Sequence, residues 1–136
     1  MSKLFIDTDI AFDLLLQRGP FYIYAARLFT LAERQEVSLY ISSLCFNNLH
    51  YLLSKQHGWL ESRRILSQFK LLVNVLAVDD KIISLALSSP FKDFEDAIQY
   101  YTAVENNIPA IITRNLKDYK EAAIPVMTAE ACLKGN

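Results

Sequence analysis

Glycine is scarce in this chain: Gly19, Gly58 and Gly135 are all that its 136 residues contain. None follows an apolar run inside a Gly-rich loop, so the phosphate cradles of dinucleotide-binding and P-loop proteins are excluded. There is also no Gly-x-Ser-x-Gly elbow for a serine nucleophile. Histidine is as sparse. His50 and His57 stand two turns apart on one expected helix, without the Cys or Asp spacing of a metal motif, and are read as structural. The two cysteines, Cys45 and Cys132, sit among apolar neighbours with no close pairing, so a reducing compartment, the cytoplasm, is the simpler expectation. The opening MSKLFIDTDI turns acidic too soon for a signal peptide's apolar stretch. No run reaches the roughly 20 apolar residues of a membrane span, and no membrane partner is expected. Positive charge is not in excess either: the net charge of -1 argues against gripping nucleic acid by overall electrostatics. If RNA is the substrate, metal ions must supply much of the attraction for phosphate.

What is present is the composition of an ordinary folded protein, 52% hydrophobic and 21% charged. Residues 1–136 fit one domain, which by size scaling buries roughly 68% of the surface its unfolded form exposes. Short apolar runs alternate with longer amphipathic stretches, the pattern of a parallel sheet covered by helices. Strands are expected at Leu4 to Asp7, Val37 to Ile41, Leu71 to Val78, Ala110 to Thr113 and Pro125 to Met127. Helices are expected from about Ile10 to Leu16, Tyr22 to Gln35, a Ser42 or Ser43 cap to His57, Leu60 to Phe69, an Asp79 cap to Leu87, and Asp93 to Asn106. A helical turn at Leu116 to Tyr119 and a last helix capped by Thr128 complete the reading.

In open α/β sheets the ligand site lies at the carboxyl ends of the strands, which gives weight to polar residues that end an apolar run. Asp7 does so, followed by Thr8 and Asp9; this cluster either caps the next helix or faces a cation. Asp93-Phe94-Glu95-Asp96 carries the same two readings, an imperfect capping box or a site acid at the edge of a buried stripe. Thr113-Arg114-Asn115-Leu116-Lys117-Asp118 follows another strand and places an amide and a carboxylate beyond its end. Each cluster alone is commonplace. Together they put three acids on one rim, with no lysine or arginine in the first two clusters, and a bound cation is the economical explanation. Hard oxygen ligands without thiolate or imidazole favour Mg²⁺ or Mn²⁺. Arg114, Lys117 and Lys120, next to the rim, either contact RNA phosphates or belong to a solvated turn.

The stretches F-I-D-T-D, D-F-E-D-A-I-Q-Y-Y-T-A-V-E-N, I-I-T-R-N-L-K-D-Y and the closing P-V-M-T-A-E-A resemble the PIN domains, particularly the bacterial group related to VapC toxins. The resemblance implies a Rossmann-like three-layer α/β/α sandwich with a short, mostly parallel central sheet. It also implies endoribonuclease chemistry, with metal-binding acids at Asp7, Asp96 and Asp118 and a hydroxyl near the site at Thr113. It further implies a cognate antitoxin covering the site, and a homodimer. The chain departs from that pattern at Asn48, where family members commonly carry a glutamate, and at Asn115, where aspartate is frequent; Asp9 adds an acid where Asn is more usual. A ribonuclease with Asp7 and Asp96 as principal ligands, and Asn48 and Asn115 orienting water, is the leading expectation. A PIN-like module that binds RNA or protein without cutting, and a small-molecule phosphoesterase, are the alternatives.

Overall fold

The computed structural model describes residues 1–135; Asn136, the last residue of the expected domain, lies outside them. The elements run β1 (Ser2–Ile6), α1 (Thr8–Leu15), a 3-10 turn (Gly19–Phe21), α2 (Tyr22–Glu33), β2 (Val37–Ser42), α3 (Leu44–His57) and α4 (Trp59–Lys70). Then follow β3 (Asn74–Leu76), α5 (Asp80–Leu87), α6 (Phe94–Glu105), β4 (Ile111–Ile112), a second 3-10 turn (Leu116–Tyr119), β5 (Val126–Met127) and α7 (Ala129–Lys134). The strands form one sheet in the order β3-β2-β1-β4-β5, and every pairing is parallel.

Strand side chains alternate between the two faces of the sheet, and this alternation builds two separate cores. Leu4, Ile6, Leu39, Ile41 and Ile112 meet buried residues of α1, α2, α3, α4 and α7. Phe5 and Ile111 point the other way, against Tyr100 and Ala103 of α6 and Tyr119 of the second 3-10 turn. Ile82 and Ala86 of α5 join that side through Ala97 and Ile98. The architecture is thus the expected three-layer α/β/α sandwich. Because β1 is paired on both sides, by β2 and β4, its carboxyl end sits at the middle of the rim.

Several boundaries differ from expectation for identifiable reasons. The strand expected over Leu71 to Val78 shrinks to Asn74–Leu76, because α4 runs on to Lys70 and Leu71 and Leu72 turn back on it through bonds to Gln68 and Phe69. Ser43 does not cap α3 with its side chain. It already has helical backbone angles, and its hydroxyl instead accepts the N–H of Val78 across the rim at 3.3 Å. Gly58 joins α3 to α4 directly at φ 83°, a left-handed conformation that a residue without a Cβ adopts at little cost.

Candidate functional site

A cleft of about 480 Å³ opens over the carboxyl ends of β1 and β4. Six acids line it, Asp7, Asp9, Asp93, Glu95, Asp96 and Asp118, and no lysine, arginine or histidine does. Asn48 of α3 and Asn115 stand on its wall. Helix starts supply most of these acids. Asp7 leaves β1 in extended conformation and caps α1, accepting the N–H of Thr8 at 2.7 Å, and Asp93 caps α6 by accepting the N–H of Asp96 at 2.9 Å. The two oxygens of Asp7 are used differently: one serves the helix, while the other accepts the hydroxyls of Thr113 at 2.9 Å and Tyr119 at 3.0 Å.

The electrostatics follow from crowding like charges where water is scarce. Asp7 is 4% exposed and Asp96 7%, so both carboxylates lose most of their hydration. Burial pushes Asp7 above the usual carboxylate range, against the pull of its three donors. Asp96 is pushed up to about 7 by burial and by the carboxylates of Asp7, Asp93, Asp118 and Glu95. Burial, then Asp7, raises Asp9 to about 6 even though Asp9 accepts the Arg114 N–H at 2.9 Å, and its other oxygen is buried with no hydrogen-bond partner. Burial and Asp7 also raise Glu95.

Asp7, Asp96, Asp118, Asn48 and Asn115 therefore share one cleft, and Thr113, fully buried, braces it from beneath. Arg114 is placed otherwise than expected. Its guanidinium turns away from the cleft, makes two hydrogen bonds of 2.8 and 3.0 Å to Asp13 and lies 4.0 Å from the ring centre of Phe21. Asp13 is 1% exposed and cannot stay charged there unpaired, which commits Arg114 to α1 and a separate cavity beside α2 and α7. Lys117 and Lys120 are exposed and do not line the cleft.

Sequence reasoning missed Tyr119, whose hydroxyl also approaches Asp96 at 3.4 Å, and a buried polar group beneath the cleft. There Gln99 donates to Thr8 at 3.0 Å and to the Cys45 thiol at 3.1 Å, and Thr8 and Cys45 lie 2.8 Å apart. The available signals were a hydroxyl next to Asp118 and a glutamine inside the apolar stripe of α6. His50 bonds Ser62 at 2.8 Å between α3 and α4, in keeping with its structural reading. Both cysteines are free and buried, and no helix among the described residues is long and apolar enough to cross a membrane.

The chain and its fold have counterparts among known proteins. The chain is 25% identical to Ribonuclease VapC1 of Aquifex aeolicus over 143 residues, covering 99% of this chain and 96% of the relative. A chain of a toxin–antitoxin complex from Klebsiella pneumoniae superposes with a TM-score of 0.69 at 28% identity, over 94% of this chain and 98% of its own. A chain of the DNA-bound VapBC assembly of Salmonella typhimurium gives 0.71 at 16% identity, over 95% and 99%, a likeness of fold. The sequence pattern of the PIN domain matches residues 3–117, and the chain belongs to the PIN-domain family.

Proposed function

We propose that this chain is a divalent-metal-dependent endoribonuclease that hydrolyses RNA phosphodiester bonds, acting in the cytoplasm as the toxin of a toxin–antitoxin pair. The observation that carries the reading is the cleft that six acids line without a lysine, arginine or histidine. The names of the relatives, a ribonuclease and a toxin–antitoxin complex, support the substrate class and an antitoxin partner. A homodimer belongs to the same reading.

The residues present fit a hard cation. Six acids line the cleft without a basic side chain, one buried oxygen of Asp9 has no partner, and the ligating atoms these acids offer are all oxygen. Among the described residues no three acids, histidines or cysteines are gathered at ion-caging distance. Mg²⁺ usually binds through one or two carboxylates and completes its shell with water and substrate phosphate. Asp7 and Asp96 would be the principal ligands and Asp118 a secondary or water-mediated one. When bound, the ion supplies Lewis acidity at the phosphate and lowers the pKa of the attacking water. Thr113 and Tyr119 fix the Asp7 carboxylate so that it need not reorganise. Asn48 and Asn115 orient water on the wall, and Lys117 contacts phosphate at the rim.

A second reading, a PIN fold that binds RNA or protein without cutting, is favoured by the two amides and by Tyr119, whose hydroxyl already spans Asp7 and Asp96. One experiment separates the two. RNA cleavage and thermal melts are measured for wild type and Asp96→Asn, in EDTA and in Mn²⁺. The nuclease reading expects Mn²⁺-dependent cleavage by wild type only. It also expects wild type to be stabilised by about 2.7 kcal/mol at Mn²⁺ a hundredfold above Kd, and a variant at least as stable as wild type in EDTA. A wild type indifferent to Mn²⁺, with a destabilised variant, would leave the binding module.

A further inference from the structure

Beyond the acid cleft the surface changes sign. Asn48 and Tyr51 line the cleft and also a neighbouring hollow that includes Lys55 of α3 and Trp59 at the start of α4. Asn47 and His50 carry that hollow into a third, between α3 and α4, which holds Arg63 and Lys70. No Asp or Glu lines either hollow. Residues 44–70 contain Lys55, Arg63, Arg64 and Lys70 against Glu61 alone, in a chain whose overall charge is -1. Arg64 is engaged by Glu61, whereas among the described residues Lys55, Arg63 and Lys70 have no carboxylate partner.

Large aromatic side chains are interleaved with these cations. Tyr51 and Trp59 are each 60% exposed. Lys55 Nζ lies 4.3 Å from the Tyr51 ring centre, and Arg63 Cζ lies 5.0 Å from that of Trp59. Asn48, Tyr51 and Lys55 fall on one face of α3, so Lys55 stands about 10 Å along the axis from the cleft wall.

We propose that this α3–α4 face binds single-stranded RNA and feeds it into the acid cleft, its bases stacking on Tyr51 and Trp59 and its phosphates meeting Lys55, Arg63 and Lys70. Exposed aromatic rings beside cations that lack a carboxylate partner suit unstacked bases on a charged backbone. A helical protein partner would instead want a continuous apolar stripe, which the lysine and asparagines on this face of α3 interrupt. A duplex hides its base faces and fits poorly. The inference rests on the nuclease reading of the cleft, but strand binding itself needs neither metal nor chemistry.

The test is anisotropy of a short fluorescein-labelled oligo(U) with the whole chain in EDTA, across a salt series. Wild type should bind, and an unlabelled duplex should compete poorly. Tyr51→Ala and Trp59→Ala should each weaken binding about 5-fold to 100-fold, the range of base–aromatic stacking, while Trp59→Phe keeps most of it. Lys55→Gln with Arg63→Gln should flatten the salt dependence by about 0.7 in log–log slope for each phosphate that is no longer neutralised. Failure of wild type to bind, or alanine variants that melt and bind like wild type, overturns the proposal. So does a dimer that Trp59→Ala splits while oligo(U) affinity is unchanged, which would make the face a protein contact. Mn²⁺-dependent cleavage that ignores these variants sinks this track alone. Tyr51- and Trp59-dependent binding without any Mn²⁺-dependent cleavage sinks the nuclease reading alone.

Discussion

Asp7 and Asp13 stand at the cap and inside the same short helix, 4% and 1% exposed, with opposite electrostatic fates. Asp13 receives a two-pronged guanidinium from Arg114; Asp7 receives hydroxyls and one amide, and faces five more acids across a cleft. One residue draws the boundary, since the Arg114 side chain goes to Asp13 while its main-chain N–H goes to Asp9. Where the fold uses a buried carboxylate for its own architecture, it supplies the countercharge. Where it leaves the countercharge out, the deficit is available to a ligand.

The strongest way to break this comparison is Arg114→Ala. It should strand Asp13 as an uncompensated buried charge and cost about 3 kcal/mol in urea unfolding, with Asp13→Asn in the same chain restoring part of the loss. A cost near zero would mean that Asp13 is as tolerant of isolation as the cleft acids, and the contrast would fail.

Next in size is the pH dependence of the metal-free protein. Asp96 at about 7 and Asp9 at about 6 both lie above the ordinary 3.8, so over that interval the folded state holds protons that the unfolded chain has released. Stability therefore falls as pH rises from about 4 through about 7. Melts in EDTA should show that decline, and Asp96→Asn should flatten it; a Tm that rises over the interval contradicts the crowding of charge. Tyr119→Phe is a smaller perturbation, removing one hydroxyl donor for a cost of about 1 kcal/mol and raising the Asp7 pKa further. Asn48→Glu should change stability least. It adds a carboxylate to the cleft wall and should tighten Mn²⁺ binding by calorimetry, and no gain with the fold intact would mark Asn48 as structural.

Local rules made most of this fold legible. The caps at Asp79, Asp93 and Thr128 each accept the amide that capping chemistry assigns them, and the apolar runs all became strands of one parallel sheet. Lengths were less legible, because β3 and β5 are edge strands and β4 pairs only through Ile111 and Ile112. At the cleft, Asp7 announced itself by its position after an apolar run and Asp96 by its place at the edge of a buried stripe. Their companions did not: Tyr119 meets Asp7, Gln99 meets Thr8 and Arg114 meets Asp13 only after the chain has folded across roughly a hundred positions. Nothing in local spacing distinguishes Arg114 as a structural clamp from Arg114 as a phosphate contact.

Asp7 holds the start of α1, the end of β4 through Thr113, and the second 3-10 turn through Tyr119. Its removal unfastens three pieces of backbone at once. In a cell such an allele would lower abundance as well as chemistry, because a small rise in the unfolded fraction exposes the chain to proteases. A phenotype at Asp7 therefore reports how much protein survives, mixed with what that protein does. Asp118, exposed on its turn and only a secondary wall of the cleft, offers the cleaner genetic readout.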